Sequence, residues 1–154
     1  RGRIALLEGS FAEAAERIDA ATEVYRAAGS AWGVANSVGS LAEVALAEGR
    51  LPAAQELFLC AVDGLVEAGA EPYAVFRLTG LANTLTAAGR HRQAALVAGI
   101  AEQWIDELGV PLGIAPYQRH RGWTADALGA EFATTVEEGR AMARTDAALR
   151  HLVA

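Results

Sequence analysis

Apolar side chains recur at helical spacing along most of the chain. Over residues 11–28 they stand at Phe11, Ala14, Ala15, Ile18, Ala21, Val24 and Tyr25, which places one apolar stripe on one helix face. Leu57, Phe58, Ala61 and Leu65 set the inner face of another helix over 52–68, with Pro52 in its first turn. The same pattern predicts helices over 31–48, 72–88, 92–108, 117–128, 131–139 and 143–152, and the end of a helix over 1–8. Glycine punctuates this series at 9, 29, 49, 69, 89, 109 and 129, one every 20 residues. Gly29 reads as a left-handed helix cap, and the Ser10 hydroxyl as the cap that opens the following helix. Residues 110–116 hold two prolines and Gly113 and read as a longer connection.

The context of these glycines alternates. Gly9, Gly49 and Gly89 each precede a residue pair and then an alanine-rich run, whereas Gly29, Gly69 and Gly109 close such a run. The repeat is therefore 40 residues in two halves. A fixed period in this range predicts a solenoid whose units stack on their neighbours. The units run over about 1–29, 30–69, 70–109 and 110–154, within a single domain over 1–154. A stacked array of this kind offers a binding or assembly surface in preference to a catalytic pocket.

The helix pairs resemble tetratricopeptide repeats. In that family the first helix carries large–x–x–large–small spacing before a turn glycine, and the second carries small–x₃–large–x₂–small after it. Val38, Leu41, Ala42 and Ala45 precede Gly49; Ala54, Phe58 and Ala61 follow it. Leu78, Leu81, Ala82 and Leu85 precede Gly89; Ala94, Ala98 and Ala101 follow. The first unit keeps Ala14, Ile18 and Ala21. The chain departs from the family in its longer period. The resemblance implies an all-α, antiparallel helical-hairpin solenoid with 40-residue repeats and a C-terminal capping helix.

A second resemblance covers the tail. Leu128, Gly129, Phe132, Glu138, Gly139, Arg140, Met142, Ala147, Ala148 and Leu149 are similar to the end of the helical-repeat region in large actinobacterial regulators. Those proteins carry an N-terminal ATPase, sometimes a nucleotide-cyclase domain before it, and in many cases a C-terminal LuxR-type helix-turn-helix. The fourth unit reads as a cap: its small-residue positions become Thr134 and Glu138, Arg140, Arg144 and Arg150 make its outer face polar, and Met142, Leu149 and Leu152 turn inward.

Composition narrows the chemistry. Of 154 residues 53% are hydrophobic and only 6% aromatic, which favours closely packed helices. All 13 basic residues are arginine, which reads as the mark of a GC-rich genome. With no lysine there is no Walker A phosphate loop and no Schiff-base lysine. The net charge of −6 argues against direct nucleic-acid binding by this segment. Cys60, the one cysteine, excludes an internal disulfide and a cysteine-rich zinc site; it reads as a small buried apolar residue. No apolar run reaches the ~18 residues of a spanning helix, and no signal peptide is visible, so the expectation is a cytoplasmic protein without membrane contact. The chain opens Arg-Gly-Arg partway through a repeat and reads as a piece of a longer protein. An apolar repeat face left uncovered at residues 1–8 would allow a homodimer.

First helices of stacked hairpins line the concave surface. That projection nominates Asn36 and Glu43 from one unit, Phe76, Thr79, Asn83 and Thr86 from the next, and Arg119 and Trp123 from the last. Aromatics flanking amide and hydroxyl groups suit a peptide or a small polar ligand; Phe76 and Trp123 equally suit packing between helices. Arg119-His120-Arg121 is the only basic cluster and reads as a solvated helix start, with contact to an anionic group or to DNA as the functional alternative. His91, His120 and His151 lie on different units, without metal-ligand spacing. Glu13, Glu16, Asp19 and Glu23, interleaved with Arg17 and Arg26, read as a solvated face, and Glu137-Glu138 likewise. Tyr25, Tyr73 and Trp104 read as fillers between helices, and Trp32 as the start of a helix. No nucleophile–base–orienter set can be nominated. The expectation is a non-catalytic segment without cofactor or metal. It would sense an inducer or a protein partner for an ATP-dependent transcriptional regulator. The alternatives are a plain protein-interaction scaffold and the repeat arm of a cyclase-linked ATPase.

Overall fold

The 20-residue rhythm has its origin in backbone geometry at glycine. The computed structural model describes residues 10–109, 115–142 and 145–154, and all regular structure among them is helical. Four helices of 17 residues follow one another: α1 Phe11–Ala27, α2 Ala31–Ala47, α3 Leu51–Glu67 and α4 Glu71–Ala87. They are followed by α5 His91–Leu108, α6 Ala115–Leu128, α7 Glu131–Arg140 and α8 Asp146–Val153. Gly29, Gly49, Gly69, Gly89, Gly109 and Gly129 all have positive φ, and no described residue of another type does. The helix end predicted over 1–8, with Gly9, lies outside the described residues, as does 110–114 of the predicted connection. The remainder of that connection belongs to α6, with Pro116 in its first turn.

At the end of α2 the Gly49 N–H donates to the Leu46 carbonyl (3.0 Å) and the Arg50 N–H to that of Ala45 (2.8 Å). This Schellman closure satisfies carbonyls that the last helical turn leaves free. The same pair of bonds recurs at Gly29, Gly69 and Gly89, where Ser30 donates to Tyr25, Ala70 to Leu65 and Arg90 to Leu85. The residue after each glycine already stands at the N-terminus of the next helix, so three residues suffice as a linker. Ser30 serves both helices at once: its N–H closes α1, and its hydroxyl accepts from the Gly33 N–H at 3.1 Å. Ser10 makes no such bond, contrary to the cap predicted for it. Its ψ of 68° falls short of the extended geometry that aims a capping hydroxyl at the first-turn amides.

The chain divides into two compact units, Arg1–Ala74 and Val75–Ala154, with the boundary inside α4. In the first, α1 packs on α2 and α2 on α3. Ala14, Ile18 and Val44 form one core cluster, flanked by Phe11 and Leu41. Ala54, Phe58, Ala61 and Leu65 are buried along α3, and Gly64 lies so close to Ala35 that a β-carbon on it would meet the Ala35 methyl at 2.9 Å. Small residues let these helices approach, and Phe58 fills the space between them. The apolar stripe expected on α1 is shorter than its sequence suggests. Ala21 is exposed and Val24 is 67% exposed, because contact with α2 covers only the strip through Ala14 and Ile18. The Glu13–Asp19 face is solvated as expected, with Arg17 paired to Glu13 and Arg26 to Glu23.

Two further expectations need correction here. Cys60 is exposed, not buried; Phe58, Leu59, Ala61 and Val62 take the inner side of α3 and leave position 60 outside, its Sγ 3.7 Å from a Glu56 carboxylate oxygen. Tyr73 does not fill a gap between helices. It is 47% exposed and stands edge-on to Trp32, which in turn stands edge-on to Tyr25, with ring centroids 5.4 and 6.1 Å apart.

The second unit is built around α5, which packs against α6, α7 and α8. Ala94 to Ala101 are accordingly buried without interruption, with Trp104 and Ile105 beyond them. α7 crosses α5 at two glycines. A β-carbon on Gly99 would stand 2.1 Å from the Val136 carbonyl oxygen, and one on Gly139 would stand 2.2 Å from that of Leu96. Glu138 and Arg140 flank the crossing and reach α5 on either side, Glu138 to Arg92 (2.8 Å) and Arg140 to Asp106 (2.6 Å). The crossing also sets which face of α7 is buried. Thr134 and Glu138 are exposed, and Thr135, Val136 and Gly139 form the buried face, because only a glycine at this point permits the backbone approach. α8 opens on Thr145, whose hydroxyl accepts from the Ala148 N–H, and buries Leu149 and Val153; Met142 and Leu152 are half-buried. Arg144 lies outside the described residues. No helix among the described residues is long and apolar enough to cross a membrane.

Candidate functional site

The eight surface residues nominated from sequence fall in both units. Asn36 and Glu43 lie on α2, in the first, and are half-buried. The other six lie in the second. Thr79 is 3% exposed, and its hydroxyl donates to the Phe76 carbonyl at 2.8 Å, so it serves its own helix. Phe76 is half-buried and Arg119 is exposed. Trp123 is 51% exposed and meets the His120 ring edge-on, with centroids 4.7 Å apart.

Asn83 and Thr86 come together with residues of three other helices. They line a small recess with Ala82 on α4, Ala94 and Ala98 on α5, Arg121 and Thr124 on α6, and Phe132 on α7. Its enclosed part has room for about one water molecule. Alanines on α5 leave the space, and polar groups from α4 and α6 line it. The Thr86 hydroxyl donates to the Ala82 carbonyl at 2.9 Å, as helical threonines do, and lies 2.8 Å from the Thr124 hydroxyl. Either hydroxyl can donate that bond. Asn83 Oδ1 is buried and accepts no hydrogen bond from the protein, an uncommon and costly condition for a buried carbonyl.

Arg121 forms one wall. Its Nε donates to Glu102 at 2.7 Å, and its guanidinium lies 4.9 Å above the centre of the Phe132 ring. The basic tripeptide read from sequence therefore splits up: Arg119 faces solvent, Arg121 is committed to α5 and α7, and His120 lies against Trp123. Burial, and next the charge of Arg119, lower the pKa of His120 below the usual histidine value.

Sequence reasoning reached Asn83 and Thr86 but missed Thr124 and Phe132 as partners. The available signal was a threonine inside the predicted helix 117–128, one unit after the polar run Thr79, Asn83 and Thr86. Among the described residues no three His, Cys, Asp or Glu side chains converge as metal ligands do. What lines the recess is an amide, two hydroxyls, a paired guanidinium and an aromatic face. No protein-family model, curated protein or solved structure matches this chain.

Proposed function

We propose that this chain is the helical-repeat segment of a multidomain ATP-dependent transcriptional regulator, where it binds an inducer or protein partner and performs no chemistry itself. The fold under this proposal is a tetratricopeptide-like solenoid of 40-residue hairpins. The observation that carries it is second-neighbour helix contact. α4 meets α6 through Thr86 and Thr124, and α5 meets α7 through Gly99 and Gly139. First helix on first helix and second on second is the contact pattern of stacked hairpins. Four successive 17-residue helices, and left-handed glycines every 20 residues from Gly29 to Gly129, support it.

The link to a regulator comes from the tail. Phe132, Gly139 and Arg140 belong to its resemblance to actinobacterial regulators, and all three are engaged in packing. Phe132 lies under Arg121, Gly139 at the α5 crossing and Arg140 on Asp106. In such a protein the array would hold the ATPase at rest until its ligand, by binding one state better than the other, shifts the population. DNA contact would belong to a separate helix-turn-helix, and the location would be the cytoplasm.

The coding sequence around this segment in its source genome tests the proposal directly. A Walker A motif upstream and a helix-turn-helix downstream are the expected result. An open reading frame without an ATPase would sink the regulator assignment and leave a protein-interaction scaffold. In that case, capture of an extended peptide should replace ligand-induced stabilisation as the measurable activity.

A further inference from the structure

α6 buries one side and leaves the other bare. Thr124 is buried, and Arg121 is paired with Glu102 on α5. Arg119, Gly122, Trp123, Asp126 and Ala127 are all exposed. At 3.6 residues per turn these five fall on one face. Trp123 is the one large hydrophobic side chain of the second unit that stands exposed among the described residues. His120 braces its ring edge-on, so the side chain has less freedom to lose on contact. Beside it Gly122 leaves a gap, where an added β-carbon would meet nothing within 4 Å. Arg119 and Asp126 close the two ends of the stripe, and among the described residues neither has an ion-pair or hydrogen-bond partner. They carry opposite charge and stand about two turns apart, or roughly 10.5 Å of helix.

This stripe is its own complement. The midpoint between Arg119 and Asp126 falls at Gly122 and Trp123. A two-fold axis there lays a second α6 antiparallel to the first. Arg119 of each copy then stands opposite Asp126 of the other, and the two Trp123 rings come together beside the gap at Gly122. A parallel pairing would set arginine on arginine and aspartate on aspartate. We infer that this face of α6 is a homodimer contact, covered by the same face of a second copy, with Trp123 at its centre and an Arg119–Asp126 ion pair at each end. The ion pairs fix register more than affinity, since exposed pairs contribute little. One helix on one helix falls among the small interfaces, below about 1,200 Å², so the association is weak and reversible. The contact uses other residues than the repeat face at 1–8 that the sequence suggests, and it is independent of the regulator proposal.

Sedimentation velocity on the chain reads the association directly, over a series from about 1 μM to 1 mM, the span of weak complexes. The parent should move from monomer toward dimer across the series. Trp123→Ala should weaken the dimer by at least about tenfold, as loss of a central anchor does. Arg119→Asp and Asp126→Arg should each weaken it too, because each sets like charges opposite one another. The double variant Arg119→Asp/Asp126→Arg should restore it, a rescue that only the antiparallel register provides. All three side chains are exposed, so the single chain should keep its fold, which circular dichroism checks. If Trp123→Ala does not fold, the charge exchange decides alone. A chain that stays monomeric throughout, a dimer indifferent to Trp123→Ala, or a double variant no better than the single ones would each overturn the contact. None of those results would bear on the flanking coding sequence, so the regulator proposal stands or falls separately.

Discussion

Gly99 and Gly139 meet where α7 crosses α5, so closely that a β-carbon on Gly99 would stand 2.9 Å from the Gly139 α-carbon. The obstructing atoms are backbone, and no rotamer change relieves them. Alanine normally improves a helix interior over glycine by roughly 0.5–1 kcal/mol. Here the gain should be outweighed, because over-packing typically costs about 1–3 kcal/mol. Gly99→Ala and Gly139→Ala should therefore lower the Tm. Gly122, inside α6 with nothing within 4 Å of its added β-carbon, is the control: Gly122→Ala should raise it. Three melts by circular dichroism decide the matter, and a rise in all three would remove the tight crossing.

The turn glycines respond to a different force. Gly49 has open space around an added β-carbon but a φ of +75°. The left-handed conformation costs an ordinary L-residue about 1–2 kcal/mol, and asparagine less. Gly49→Ala should lower the urea midpoint by that order, and Gly49→Asn by distinctly less. Equal losses would mean that the strain is not the cause.

Those two glycine classes also show what the sequence discloses. Periodicity at 29, 49, 69, 89, 109 and 129 is enough to place six left-handed caps, because only glycine takes that conformation cheaply. Helix positions follow to within a few residues. Gly139 is different. It sits off the 20-residue register, and its reason is a partner 40 residues away on another helix. The buried face of α7 at Thr135 and Val136 has the same cause. Cys60 and Val24 are exposed against expectation because side-chain type speaks for hydrophobicity but not for where a neighbouring helix ends. The recess is half legible. Asn83 and Thr86 stand out as polar residues in an apolar helix, whereas Thr124 and Phe132 become partners only through packing.

Burial along the first unit gives a graded test. Ala54 is fully buried, and Phe58 is 1% exposed. Ala54→Phe should cost about 1–3 kcal/mol through over-packing, and Phe58→Ala about 3–5 kcal/mol through the cavity it leaves. Val24, on the exposed side of α1, should tolerate serine within about 0.5 kcal/mol. Chemical denaturation of the three variants should give that order. A large loss at Val24 would mean that α1 buries the face that its apolar residues suggest.

His120 makes stability depend on pH in a predictable direction. Its Nδ1 is buried without a protein partner, and its ring packs on Trp123. Burial first, and then the neighbouring Arg119 charge, hold its pKa below the unfolded value of 6.5. The unfolded chain thus binds this proton more readily than the folded one, and in that window stability rises with pH. The contribution is fully present above pH 6.5 and is lost as pH falls through the lower folded value. Most carboxylates titrate nearer about pH 4, so the interval from about pH 7.5 to 5.5 reports largely on histidine. His120→Gln removes the ionisable group and keeps a polar side chain. Melts of both proteins at the two pH values should show a larger acid loss in the parent than in the variant. Identical losses would show that His120 takes up its proton in the folded state without cost, and that the Trp123 contact does not depend on a neutral ring.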